Sequence, residues 1–117
     1  MLHVLTPRLM RQLEQIILPE MPNEAAGLIL PDGTVVQLPN EAENPTNRFT
    51  VSRLEIQKVL LSNHLPLSLA TLEKLTLWHS HPGGGVGPSR VDLAQRVEPL
   101  SHLVIAVTDG ELTPTWY

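Results

Sequence analysis

The sequence predicts an α/β or α+β fold, in which one mixed β-sheet carries about three helices on its faces. Helical and strand-like segments alternate along the chain, which is typical of such folds. Eleven prolines and seven glycines separate short elements, and the length of 117 residues fits a single domain spanning residues 1–117. Apolar residues make up 42% of the chain but aromatic residues only 3%, so we expect a core built mainly from Leu, Val and Ile.

The first helix is predicted close to the N-terminus. Thr6 can cap it, and Pro7 suits the first helical position, where the N–H has no partner within the helix. Pro19 and Pro22 are predicted to end it, because proline lacks the donor that a helix interior needs. Its buried face is predicted from apolar residues three and four positions apart, which are Leu9, Leu13, Ile16 and Ile17.

A β-hairpin is predicted next. The strand-like runs from Ala25 to Leu30 and from Thr34 to Leu38 are separated by Pro31-Asp32-Gly33, which has the composition of a tight turn. A polar, proline-containing loop runs from Pro39 to Asn47. The following residues, Arg48 to Val51, are predicted to form a short strand.

The second half of the chain continues the alternation. Ser52 and Glu55 have the spacing of a capping box, which predicts a second helix. The remaining predicted elements are a strand over Leu75 to Trp78, a helix over Ser89 to Val97, a strand over Leu103 to Val107 and a last strand over Glu111 to Tyr117 that pairs with it across Asp109-Gly110.

Composition and charge exclude several classes of function. The absence of cysteine rules out a disulfide framework, a cysteine nucleophile and thiolate metal ligands. The net charge is −4 and the basic residues are scattered, so we expect no nucleic-acid-binding face. No apolar run approaches the ~20 residues that span a bilayer, and no secretory signal is visible. The predicted compartment is therefore the cytoplasm, with the oligomeric state left open.

One stretch of the chain carries residues of metal-binding type. In an extended segment His79 and His81 lie on the same face, with α-carbons roughly 6.5–7 Å apart, so their imidazoles can converge on one ion. The glycine-rich loop from Pro82 to Pro88 lets the chain reverse, and Asp92 then falls in the first turn of the next helix. Three protein ligands with a fourth position left for water are typical of a catalytic zinc site.

Each of these features also has a structural interpretation. Many H-x-H pairs are ordinary surface or core histidines, and a loop with four glycines can be only a flexible turn. Ser89 and Asp92 have capping-box spacing, although Ser89 can cap while Asp92 turns toward an ion. Their joint occurrence favours a metal site, and we expect one Zn²⁺ per chain, while two histidines and an aspartate also suit other divalent metals. The other histidines, with no partner at ligand spacing, are predicted to be structural or exposed: His3, His64 and His102.

The same stretch resembles the signature of the JAMM (MPN-plus, or JAB-domain) zinc metalloproteases, which is H-x-H-P, six residues, then S-x-x-D. The chain matches every fixed position of that signature. The segment from Pro22 to Ile29 is similar to the family's glutamate motif, P-x-E-x-x-G-L-L, with Ile29 in place of the second Leu. The residues from Leu38 to Asn40 and from Asn44 to Phe49 resemble the strand exit and loop of the family, so the likeness covers nearly the whole chain.

The resemblance implies a compact prokaryotic or phage type of the JAMM domain, with a mixed, curved sheet flanked by helices. It also implies that His79, His81 and Asp92 bind zinc. Glu24 would be the general base toward a metal-activated water, and Ser89 would help to hold the oxyanion of the tetrahedral intermediate. The residues alone do not select Glu24 from the other acidic side chains.

The activity implied is zinc-dependent hydrolysis of a peptide or isopeptide bond in a protein or peptide substrate. Three settings stay open: trimming the tail of a ubiquitin-like or sulfur-carrier protein, processing in phage tail assembly, and hydrolysis of a small peptide-like amide. A phage-encoded member would be virion-associated rather than cytoplasmic. A second hypothesis is a non-catalytic scaffold or binding module of the same fold. A third is a metal-bound domain in DNA repair, which the acidic balance disfavours.

Overall fold

A five-stranded sheet with helices on both faces forms the framework of the protein, as the computed structural model of residues 2–117 shows. The helices of the described residues are α1 (Pro7–Glu20), α2 (Arg53–Ser62), α3 (Leu69–Leu72) and α4 (Arg90–Ala94). The strands are β1 (Ala26–Ile29), β2 (Val35–Leu38), β3 (Thr76–His81), β4 (Ser101–Thr108) and β5 (Glu111–Trp116). None of the helices described is long and apolar enough to cross a membrane.

The sheet is mixed, as predicted. Its strand order is β2-β1-β3-β4-β5, with β3 and β4 parallel and every other neighbouring pair antiparallel. A parallel pair needs a crossover connection, and the one between β3 and β4 contains the glycine-rich loop and α4. The start of α4 is therefore tied to the carboxyl end of β3, where β3 ends in two histidines.

The two faces of the sheet bury two separate apolar clusters, because successive strand residues point to opposite sides. One cluster packs α1 on the sheet and consists mainly of Leu9, Leu13, Ile17, Ile29, Trp78, Leu103 and Ile105. The other packs α2 and the loop before it on the opposite face and consists mainly of Leu28, Leu38, Phe49, Leu60, Leu75, Leu77 and Leu100. Leucine, valine and isoleucine dominate both clusters, as the scarcity of aromatic residues predicted.

The first helix and the hairpin form much as predicted. Thr6 caps α1, its Oγ1 accepting a hydrogen bond from the Leu9 N–H at 3.1 Å. Pro19 does not end this helix but lies in its last turn, where the missing donor removes only one bond, and α1 extends to Glu20. The β1–β2 hairpin confirms the predicted pairing of the two strand-like runs.

Gly27 in β1 is required by a close approach. A Cβ at this position would overlap the carbonyl oxygen of Val36 on β2 and would lie 2.6 Å from the ring of Trp78 on β3. The Trp78 ring thus lies across the glycine, and its Nε1–H donates to the Leu28 carbonyl at 3.3 Å. This close contact between β1 and β3 lies one position along the strands from the Ala26–His79 pair.

Three further features of the structure differ from what the sequence predicted. Residues 48–51 form no strand, because the Thr50 N–H donates to the side chain of Asn40 at 3.0 Å instead of joining a ladder. The helix predicted over residues 89–97 is shorter and ends at Ala94. A fourth helix, α3, is a single turn capped by Ser68, and the sequence pattern did not indicate it.

Candidate metal centre

The centre is built first by the end of β3. His79 and His81 are two residues apart on one strand, so both side chains project from the same face of the sheet, as predicted. The His79 side chain is fully buried, whereas that of His81 is 14% exposed at the rim. Their Nε2 atoms lie 3.2 Å apart. Ser80 points to the opposite face, where its Oγ accepts a hydrogen bond from the Ala25 N–H at 2.9 Å.

The start of α4 supplies a carboxylate to the same point. Ser89 and Asp92 form a capping box, in which the Asp92 N–H donates to Ser89 Oγ at 3.1 Å and the Ser89 N–H donates to Asp92 Oδ2 at 2.9 Å. That same Oδ2 lies 3.1 Å from His79 Nε2 and 3.0 Å from His81 Nε2. The cap thus aims the carboxylate at the two imidazoles.

The donor set fits a metal ion. Ligands bound tetrahedrally at about 2.0–2.1 Å are separated by about 3.3 Å, and the three donor atoms lie 3.0, 3.1 and 3.2 Å from one another. One ligand atom each of Glu24, His79 and His81 also falls within a 4.8 Å group. Of the two carboxylates beside the imidazoles, we take Asp92 as the third ligand, because its oxygen is at ligand separation from both nitrogens. The chemistry of two imidazoles and a carboxylate suits zinc and other divalent metals.

The outer ring nitrogens of the two histidines are held by other parts of the chain. His81 Nδ1 donates a hydrogen bond to the carbonyl oxygen of Gly85 at 3.0 Å, which leaves Nε2 as the nitrogen that faces the candidate metal position. His79 Nδ1 faces the Tyr117 hydroxyl at 3.5 Å. Phe49 stacks on the other side of His79, with ring centroids 4.1 Å apart. These contacts set the direction in which each imidazole points.

Glu24 lies just before β1 and is brought beside the histidines because Ala26 pairs with His79 in the β1–β3 register. Its side chain is 5% exposed, and among the described residues its Oε1 has no hydrogen-bond partner. Burial raises its pKa from an ordinary 4.5 to about 7, although the charge of His81 opposes this rise. A buried carboxylate with an unpartnered oxygen at a metal site is suited to handle protons near neutral pH.

The surroundings shift the pKa values of the three donor residues in different directions. Burial alone would raise the pKa of Asp92, but hydrogen bonds to His79, His81 and the Ser89 N–H hold it well below the usual range. The hydrogen bond to Asp92 raises the pKa of His81, whereas burial lowers that of His79. The aspartate is therefore anionic at neutral pH, as a metal ligand must be.

Ser89 stands at the exposed edge of this group. Its Oγ accepts the capping bond from Asp92, and its hydroxyl proton takes no part in that bond. It can therefore still be donated toward a group bound beside the histidines.

Two neighbours of His79 were not predicted to contact it. Phe49 and Tyr117 lie far from the histidine in sequence, and only the folded chain brings the three rings together. Phe49 lies in a segment that resembles the family, but nothing in the sequence indicated its contact with His79.

A cavity of about 460 Å³ lies away from this centre, beside the β1–β2 turn and the start of α1. His3 lines it, with ring nitrogens 2.8 Å from Thr76 Oγ1 and from the Leu30 carbonyl oxygen. Both nitrogens of His3 are thus engaged in tying the N-terminal segment to the sheet, the structural role predicted for this residue.

Comparison with known proteins agrees with the fold. Residues 6–116 match the family of prokaryotic homologs of the JAB domain, and the chain belongs to that family. The resemblance drawn from the histidine motif is thereby confirmed.

The fold is also similar to a solved structure. The solution structure of protein DSY2949 from Desulfitobacterium hafniense superposes with a TM-score of 0.68 at 26% sequence identity, over 95% of this chain and 78% of that one. No curated protein matches the chain.

Proposed function

We propose that the protein is a zinc-dependent metallopeptidase that hydrolyses a peptide or isopeptide bond. One observation carries this proposal: three donor atoms from β3 and α4 converge within 3.2 Å of one another, with the buried carboxylate of Glu24 beside them. Membership of the JAB-domain family supports the same class of protein. The substrate is a protein or peptide, and the tail of a ubiquitin-like or sulfur-carrier protein is the first to test.

His79, His81 and Asp92 would hold the ion. When bound there, zinc lowers the pKa of a water molecule to about 7 and polarises the carbonyl of the scissile bond. The protein's own part is to hold the ligand atoms in one orientation, through the cap at Ser89 and the carbonyl of Gly85. Preset ligands reduce the reorganisation that binding and reaction would otherwise require.

Glu24 is the general base and then the general acid of this proposal. Its carboxylate takes the proton of the attacking water and returns it to the leaving amine. A base works best when its pKa is near the working pH, and burial brings the pKa of Glu24 to about 7. The unpartnered Oε1 is available for such a proton.

Ser89 has the second supporting role. Its hydroxyl lies at the rim and is held by the capping bond, so its proton can be donated to the oxyanion that forms at the attacked carbonyl. This contact costs no separate rearrangement, because the cap already orients the oxygen.

The alternative function is a non-catalytic scaffold. A scaffold of this fold has no need for histidines that converge, or for a buried acid without a partner. Both features favour the enzyme over this alternative.

Metal content measured by mass spectrometry separates the two. We expect about one zinc per chain for the native protein and for Glu24→Gln, and none for His81→Ala. His64→Ala is the matched control, since His64 is exposed and lies at the end of α2. The loaded protein is then assayed on peptides and on fusions to ubiquitin-like tails. A native protein that binds no zinc when zinc is supplied in excess would overturn the proposal.

A further inference from the structure

Asn40 uses every hydrogen-bonding group of its side chain. Its Nδ2 donates to the carbonyl oxygens of Glu24 and Arg48, both at 2.9 Å. Its Oδ1 accepts from the N–H groups of Ala42 at 3.1 Å and Thr50 at 3.0 Å. An amide has two donors and two acceptor lone pairs, so its capacity is filled.

These four partners belong to two different segments. One is the backbone of Glu24, just before β1, and the others lie in the loop between β2 and α2. The two ends of this loop are joined by the bonds of Asn40 and by the Glu41 N–H, which donates to the Thr50 carbonyl at 2.9 Å. Phe49, the residue that stacks on His79, directly precedes Thr50.

Both backbone groups of Glu24 are hydrogen-bonded to the loop between β2 and α2. Its N–H donates to the Pro45 carbonyl at 2.7 Å, and its carbonyl accepts from Asn40. The next residue, Ala25, is tied to Ser80 by bonds in both directions. Within residues 2–117, Asn40 is the side chain whose hydrogen bonds join the Glu24 backbone to the loop carrying Phe49.

We infer that Asn40 is a positioning residue, which holds the Glu24 carboxylate and the Phe49 ring in register with the histidines. The inference rests on the proposed function for its catalytic consequence, but its structural content stands without it. The four hydrogen bonds of Asn40 go to none of the three donor residues, so its loss is expected to leave about one zinc per chain at saturating zinc, with zinc affinity reduced by no more than the tenfold expected for loss of the Phe49 stacking. A shift of the Glu24 backbone by about 1 Å is enough to reduce the rate about a hundredfold.

Asn40→Asp is the discriminating variant. It keeps the shape and an oxygen toward Ala42 and Thr50, but it replaces both donors with an oxygen that repels the carbonyls of Glu24 and Arg48. Asn63→Asp is the matched control, because Asn63 Nδ2 also donates to a backbone carbonyl, that of Val59 at 2.8 Å. Should Asn40→Asp fail to fold, Asn40→Ser removes the amide without adding a charge, and the same measurements apply.

The first measurement is amide hydrogen exchange on the zinc-loaded protein. We expect the amides of Glu24 and Ala25 to exchange about tenfold faster in Asn40→Asp, with the amides of β3 and β4 unchanged. Zinc content should stay at about one per chain, and Asn63→Asp should leave zinc content and the exchange of the Glu24 and Ala25 amides as in the native protein. Unchanged exchange at Glu24 and Ala25 would overturn the positioning role, whether or not the protein proves to be an enzyme.

The second measurement is kinetic. We expect kcat of Asn40→Asp to fall by about 10- to 100-fold with a smaller change in KM, and Asn40→Asp to have no further effect when Glu24 is already Gln. An additional loss in the Glu24→Gln background would show that Asn40 does not act through Glu24. If the zinc-loaded native protein cleaves nothing, the proposed function fails, while the exchange result still decides the role of Asn40.

Discussion

Phe49 stacks on His79, with ring centroids 4.1 Å apart and ring planes inclined by 19°. The contact joins the loop after β2 to a residue of the candidate metal centre on β3, and it restricts rotation of the imidazole. Orienting contacts of this kind commonly change metal affinity by about 10- to 100-fold.

We therefore expect Phe49→Leu to raise the dissociation constant for zinc about tenfold, because the imidazole loses its stacking partner. The measurement is competition with a chelator of known affinity. Leu60→Ala is the control: Leu60 lies in the same apolar cluster, and its truncation costs about 3 kcal/mol of stability, but zinc affinity of the folded protein should not change. Equal zinc affinities in Phe49→Leu and the native protein would contradict the orienting role.

Zinc is expected to stabilise the fold. A ligand that binds only the native state stabilises it by about 4 kcal/mol at a thousand times its dissociation constant. The melting temperature of the native protein should therefore rise with zinc and fall again with EDTA, whereas that of His81→Ala should respond to neither. His64→Ala should behave as the native protein does. A zinc-dependent rise in His81→Ala would mean that the ion binds elsewhere.

The histidines and the aspartate of the candidate metal centre were predictable from the sequence because their relationships are local. His79 and His81 share a face through the two-residue period of a strand, and Ser89 and Asp92 are linked by the three-residue spacing of a helix cap. Neither relationship depends on how distant parts of the chain pack.

The rest of the centre depends on register between distant segments. Glu24 reaches the histidines only because Ala26 pairs with His79, and no pattern in the sequence specifies that pairing. The same holds for Phe49, which lies in a segment predicted as a strand. That segment forms no strand, because the side chain of Asn40 accepts the hydrogen bond of the Thr50 N–H that a ladder would have used.

Glu24 should make the stability of the metal-free protein fall with rising pH. Its pKa is about 7 in the folded state and near 4.5 when unfolded, so the folded state holds the extra proton between these values. The contribution of Glu24 to the free energy of unfolding is therefore most favourable below pH 4.5, and it is lost as pH rises from 4.5 through 7. We expect Glu24→Gln to be more stable than the native protein at pH 8, by at most about 3 kcal/mol, and this advantage to shrink toward pH 5.

The measurement for Glu24→Gln is urea unfolding of the zinc-free proteins at a series of pH values. Glu14→Gln provides the control, since Glu14 is an exposed acid of α1. A native protein whose stability rises from pH 5 to pH 8 relative to Glu24→Gln would contradict the cost of burying this carboxylate.

His102 should have the opposite effect and make the protein less stable as pH falls. It is 1% exposed, its Nε2 accepts a hydrogen bond from the Val97 N–H at 3.0 Å, and burial lowers its pKa below the ordinary 6.5. The unfolded chain therefore takes up a proton first as pH falls below about 6.5, and stability is lost from there down to the folded pKa. The loss approaches about 1 kcal/mol per pH unit within that window.

His102→Gln isolates this effect, because the Gln side-chain oxygen can accept from Val97 and does not titrate. We expect the zinc-free variant to lose less stability than the native protein between pH 7 and pH 5.5 in urea unfolding, by at most about 1 kcal/mol. His102→Leu does not titrate either, but it removes the acceptor of the Val97 N–H, so it should be destabilised by about 1 kcal/mol at every pH. Parallel pH curves for the native protein and His102→Gln would mean that His102 is protonated in the folded state as readily as in the unfolded chain.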